Sequence, residues 1–178
     1  LALAFVVALA FAFSFRSFLM PPPLADVMLS ASCNVLETMF FAEGVPAPED
    51  ELPLPDALAC ALHYTGAETG SFHVVIDRPA LAVLCSGFYG DDAEGEDAQN
   101  ELLCELTNML AGSTLSLYVP DHCCSLSSPT LYDRATSATQ AHTGEHITRL
   151  TLAIEDGLLA IECSLRDHAV AETAQAAA

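Results

Sequence analysis

Glu101–Gly112 reads ELLCELTNMLAG, and its periodicity sets the kind of fold available to the chain. On a wheel of roughly 100° per residue, Leu102, Leu103, Leu106, Met109 and Leu110 gather on one side. Glu101, Glu105 and Asn108 fall within roughly 40° of Glu101 on the opposite side. A helix with a single apolar stripe must bury that stripe against another layer. The spacing predicts an amphipathic helix from Asp97 to Ala111 with Gly112 as its stop. The acidic run Gly90–Glu96 ahead of it suits the positive end of the helix dipole.

The flanking sequence supplies the other layer. Two apolar runs, His146–Ile154 and Leu158–Leu165, close the chain as a hairpin with Glu155-Asp156-Gly157 at the turn. An earlier pair, Leu58–Tyr64 and Ser71–Asp77, is joined by the turn-like TGAETG. Ahead of these, Pro21-Pro22-Pro23 suits a helix start. From Leu24 to about Ala42, Val27, Met28, Ala31, Val35, Met39 and Phe40 recur at helical spacing, and Gly44 ends the run. Val45–Pro55 is a Pro- and acid-rich loop. Pro79 opens a shorter helix through about Phe88, Leu115–Val119 reads as a strand, and Pro120–Gly144 reads as irregular. The expected class is α+β: an antiparallel sheet with two long helices packed on one face, built from two similar halves of one helix and one hairpin each.

Composition limits the partners. The chain has 178 residues, which favours one domain. Its 52% hydrophobic content, arranged in periodic runs, indicates a packed core rather than a disordered acidic tail. Asp and Glu number 24 against five Arg and no Lys, for a net charge of −19. That excess excludes a basic nucleic-acid footprint and docking on an anionic membrane surface. It is otherwise the mark of a solubilising surface.

Leu1–Phe13 is an unbroken apolar run, too short to span a bilayer comfortably, and no basic residues precede it. The expectation divides residues 1–20 (a targeting or anchoring segment, or an artefact with Met20 or Met28 as the true start) from a domain at 21–168 and a flexible tail at 169–178. No membrane association is expected unless residues 1–18 are a real anchor.

The seven cysteines contain no C-x-x-C pair. Cys33, Cys60, Cys85, Cys104 and Cys163 sit in apolar runs, where a free thiol behaves as a small buried hydrophobe. A reduced, cytoplasmic protein is expected over a secreted disulfide framework. His122-Cys123-Cys124 invites a zinc site, with His142 and His146 four residues apart, but no second ligand pair has the usual spacing. No G-x-S-x-G nucleophile elbow is present. Phe72, Phe88 and Tyr89 read as core.

On helical spacing alone, Glu105 and Asn108 are neighbours on a polar face, which most often means solvated surface. The motif adds to this. ELLCELTNMLAG resembles the signature helix of the CheC–CheX–FliY family of chemotaxis phosphatases, with Glu101, Glu105, Asn108 and Gly112 in the family's places. SASCNVLETMFF at Ser30–Phe41 is similar to the first helix of CheX-like domains. SLSSPT at Ser125–Thr130 stands where the family has a Ser-x-Pro segment. The resemblance spans roughly Leu24 to Leu165.

It implies hydrolysis of an aspartyl-phosphate on a CheY-like receiver domain. Asn108 would orient the attacking water and Glu105 would pair with the receiver's Lys, while the receiver supplies Mg²⁺ and this chain needs no metal or nucleotide of its own. It also implies a possible homodimer through the sheets. Where relatives carry a second pair, this chain has Glu37-Thr38-Met39-Phe40, with Phe in place of Asn, so a single site is expected. Glu101 stands where Asp or Ser is more usual. The alternative is a module of the same shape that binds receivers without turnover.

Overall fold

The computed structural model describes residues 22–48, 51–90, 95–133, 145–155 and 157–166. Residues 1–20 and the tail at 169–178 lie outside them.

Four long antiparallel strands form the centre: β2 (Leu58–Gly66), β3 (Gly70–Ile76), β6 (Glu145–Ile154) and β7 (Gly157–Arg166). Three short strands complete the sheet: β1 (Gly44–Pro46), β4 (Cys124–Leu126) and β5 (Thr130–Tyr132). The order is β1-β6-β7-β3-β2-β4, with β5 also on β2. Alternation along the strands puts Leu150, Ile161, Val74 and Cys60 in one cross-sheet row facing the core. The neighbouring row on the opposite face is polar, with Arg149 Nε donating to Glu162 Oε1 at 2.6 Å.

The helices cover the inner face. They are α1 (Leu24–Val35), extended by a π-turn over Leu36–Phe40; α2 (Arg78–Tyr89); and α3 (Glu96–Tyr118). α1 and α3 lie against each other and against β6 and β2 respectively, while α2 packs on α3, β7 and the π-turn. On α3, Leu102, Leu103, Leu106 and Leu110 are fully buried, the stripe the wheel selects. Each such side chain contributes about 1.5–3 kcal/mol relative to exposure.

The two halves are visible in the pairing. Each runs helix, short edge strand (two of them, β4 and β5, in the second half), long strand, long strand. β3 and β7 meet at the centre, and each half lends its short strand to the other: β1 pairs β6, while β4 and β5 pair β2. α2 bridges the halves. Asp77 ties the bridge down: its carboxylate accepts from Leu54 N at 2.6 Å and Leu158 N at 2.9 Å.

Several boundaries differ from the sequence expectation. The first helix ends at Phe40, not Ala42, because the chain widens into the π-turn and Phe41 adopts a left-handed conformation at φ 54°. Gly44 then opens β1, which takes Val45 and Pro46, the first residues of the expected loop, into the sheet. Pro46 is tolerated there because β1 is an edge strand. Gly112 does not stop α3. The helix continues to Tyr118 because Thr114 and Leu115 extend its buried stripe, so Leu115–Tyr118 is helix rather than strand. The segment read as irregular after Pro120 contains β4 and β5. Among the described residues, no helix is long and apolar enough to cross a membrane.

Candidate functional site

α3 presents its polar stripe to an open groove of about 640 Å³. One wall is α3 itself, through Glu101, Cys104, Glu105 and Asn108. Phe88 and Tyr89, from the last turn of α2, close one side. The opposite wall is Leu126-Ser127-Ser128-Pro129, the link between β4 and β5. Glu105 is exposed and Asn108 half-buried, so both side chains are reachable while the leucines behind them hold the helix rigid.

The far wall is shaped by a local mismatch in the sheet edge. Leu126 pairs with Tyr64 and Thr130 with Ala61, so Ser127, Ser128 and Pro129 stand opposite only Leu62 and His63. One surplus residue makes a bulge, which bends an edge strand out of the ladder. The bulge is pinned at Ser127: its N–H donates to His63 O at 2.8 Å, and its Oγ accepts from His63 N at 2.9 Å. Thus SLSSPT and the Glu105–Asn108 turn, distant in sequence, face each other across one groove.

Phe88 and Tyr89 are not core, contrary to the sequence expectation; they are 37% and 41% exposed. Phe88 rests on Phe40 at a centroid distance of 5.4 Å and meets Tyr89 edge-on at 4.9 Å. Tyr89 leans toward the carboxylates. Partial burial, then the charges of Glu101 and Glu105 with Cys85 between them in effect, push its phenol above the ordinary range, so it stays a neutral donor. Phe72 is fully buried as expected.

No Lys, Arg or His lines this groove among the described residues. Two carboxylates without a cation repel a free phosphate monoester. The equivalent turn of the first helix is different: Glu37 is exposed, but Phe40 is 2% exposed and part of the core.

Among the described residues the other constellations are not assembled into a site. His122, Cys123 and Cys124 line a separate hollow with Gly112, Leu115 and Ser116, and His142 lies outside the described residues. Among the described residues no group of three or more His, Cys, Asp or Glu is placed to hold a metal. All seven cysteines are free thiols, and Cys33 and Cys104 are only half-buried rather than core.

A helical layer laid across an antiparallel sheet of two similar halves defines a class of fold. The fold is that of the CheX and CheC-like chemotaxis proteins. The chain is similar to CheX from Vibrio vulnificus (18% identity, TM-score 0.65, covering 83% of this chain and 99% of that one). It is similar to CheX from Desulfovibrio desulfuricans (18%, 0.64, 80% and 99%). It is also similar to the CheX–CheY–BeF3–Mg²⁺ complex from Borrelia burgdorferi (15%, 0.61, 82% and 99%). No protein-family model and no curated protein matches the sequence.

Proposed function

We propose that this protein hydrolyses the aspartyl-phosphate of a CheY-like receiver domain, with Asn108 and Glu105 as the working pair. The observation that carries it is the groove: an accessible carboxylate and carboxamide, one helical turn apart on a rigid helix, in a site whose charged groups among the described residues are all negative. An acyl phosphate needs little covalent help from a catalyst; it needs a water held in line with phosphorus. The Asn108 carboxamide can accept from and donate to that water at once. Glu105 cannot approach a phosphoryl group unaccompanied, so it meets a cation carried by the receiver, the Lys beside the phosphate. Mg²⁺ belongs to the receiver too and offsets the charge of the phosphoryl oxygens.

The protein then acts in the cytoplasm in chemotaxis or two-component signalling. The fold's occurrence in a CheX–CheY complex supports a receiver as partner. The sheet-mediated homodimer remains part of the proposal and is read by analytical ultracentrifugation. The deciding experiment follows loss of labelled phosphate from cognate receivers with and without this protein. Acceleration is expected. Binding without acceleration would leave a non-enzymatic receiver-binding module, and neither would remove the receiver as partner.

A further inference from the structure

The groove also opens onto a thiol. Cys104, between Glu101 and Glu105 on α3, is half-buried and lines it. Its sulfur lies 3.8 Å from that of Cys60, which is fully buried on the inner face of β2. This is the one pair of cysteines in sulfur–sulfur contact among the described residues.

Two features separate the pair from ordinary packing. One sulfur is reachable from the groove while the other is sealed behind it, the arrangement of an attacked and a resolving thiol. The elements joined are also tied to the two walls of the site. Cys104 belongs to the helical turn that carries Glu105 and Asn108, and Cys60 belongs to the strand to which the Ser127 bulge is pinned.

We propose that Cys60 and Cys104 form an oxidisable dithiol, converted by hydrogen peroxide into a disulfide that disables the groove. The Cys104 thiolate attacks one peroxide oxygen; the O–O bond breaks, and the departing hydroxide leaves as water, giving a sulfenic acid at Cys104. The Cys60 sulfur, releasing its proton to solvent, attacks the Cys104 sulfur; the S–O bond breaks and a second water leaves. Two electrons pass from the two thiols to one peroxide, with one disulfide and two waters formed. The order follows from access: burial closes Cys60 off and pushes its thiol above the ordinary range, so Cys104 reacts first.

Closing the bond brings the sulfurs from 3.8 Å to about 2.05 Å. That draws the turn carrying Glu105 and Asn108 toward β2. A misplacement of about 1 Å in a positioning residue can cost about 100-fold in rate. The loss of turnover rests on the proposed phosphatase activity; the disulfide does not.

The test treats the reduced full chain with hydrogen peroxide and maps peptides by mass spectrometry. The expected product is an intramolecular Cys60–Cys104 cross-link, lighter than the dithiol by two hydrogens and reversed by dithiothreitol. Receiver dephosphorylation should fall at least about tenfold in the cross-linked protein and recover on reduction. Cys60→Ala should keep basal turnover and lose the cross-link, with any peroxide effect on turnover then no longer reversed by dithiothreitol through a disulfide. Absence of that cross-link, or Cys104 stopping at sulfinic acid, would overturn the proposal. A cross-link with unchanged turnover would overturn its disabling effect. If the reduced protein shows no phosphatase activity, receiver affinity of the two forms replaces turnover as the readout: a weaker oxidised form supports the proposal and equal affinities sink the disabling effect, while the phosphatase assignment fails separately.

Discussion

Ser127 holds His63 by both backbone groups, donating to its carbonyl at 2.8 Å and accepting from its N–H at 2.9 Å through Oγ. The side-chain half of this clasp keeps the bulge lifted toward α3. Ser127→Ala removes the Oγ acceptor and leaves the backbone half intact. Because the link is exposed, stability should fall by at most about 1 kcal/mol. Receiver turnover should fall by several-fold, since the wall facing Asn108 loses its anchor. Equal turnover in wild type and variant would show that the bulge does not shape the site.

Asn108→Ala should leave the melting temperature nearly unchanged, because the side chain is half-exposed and the stripe behind it is untouched. Turnover should drop by about 100-fold or more, in line with loss of a positioned group. Glu105→Ala should chiefly weaken receiver association. Its effect should shrink as salt rises, because an exposed carboxylate–ammonium contact is screened. A salt-independent Glu105 effect would argue against a charge partner on the receiver.

The sheet and the buried stripe of α3 were legible because their periods are strong. Leu102, Leu103, Leu106 and Leu110 repeat like a helix, and β6 and β7 are long enough to read as paired strands. β1, β4 and β5 were not, since three residues cannot display an alternation. Leu115-Ser116-Leu117-Tyr118 alternates like a strand, yet Leu115 lies four residues after Ala111 and continues the helical stripe. Phe88 and Tyr89 read as core in the sequence because apolar side chains at a helix end look alike whether the next turn is covered or open. The shared groove of Asn108 and Ser127 has no local signal, since it arises from β4 and β5 pairing with β2. Only the resemblance of Ser125–Thr130 to a family segment pointed there.

Gly112 lies inside α3, and an added Cβ would meet only Leu126 Cδ1, at an ordinary 3.8 Å. Nothing in the fold therefore needs glycine there, while its backbone freedom weakens the helix. Gly112→Ala should raise stability by about 0.5–1 kcal/mol in urea denaturation. A loss of stability would mean that the turn at Gly112 is under a constraint not visible in its contacts.

Gly70 behaves oppositely. Tyr64, its cross-strand partner, passes its ring over the glycine so that the phenol donates to Ser164 O at 2.6 Å. With that hydrogen committed, the Cys163 thiol donates to the phenol oxygen at 3.4 Å. A Cβ on Gly70 would collide with Ser164 O and sit 2.7 Å from the Tyr64 hydroxyl. Gly70→Ala should cost about 3 kcal/mol or more, as a backbone clash in a packed core does. Tyr64→Phe should cost about 1–2 kcal/mol, the value of a buried hydrogen bond whose acceptor loses its partner. If Gly70→Ala proved the milder of the two in urea denaturation, the close approach over Gly70 would be wrong.

The same cluster fixes how stability responds to alkali. Burial pushes the Cys163 thiol from 9.0 up to about 11. Burial also pushes the Cys60 thiol and the Tyr64 phenol upward. Each group is neutral when protonated, and the folded chain keeps the proton at pH values where the unfolded chain releases it. The unfolded state therefore binds fewer protons above pH 9, and unfolding free energy falls as pH rises. The contribution of Cys163 is complete below pH 9.0 and lost through about pH 11. The slope should approach about 1.4 kcal/mol per pH unit for each such group. Urea denaturation at stepped pH should show this decline beginning near 9. Cys163→Ala should be less stable at neutral pH, from the cavity it leaves, yet lose stability less steeply between pH 9 and 11. An identical slope in the variant would show that Cys163 is not among the protons retained by the fold.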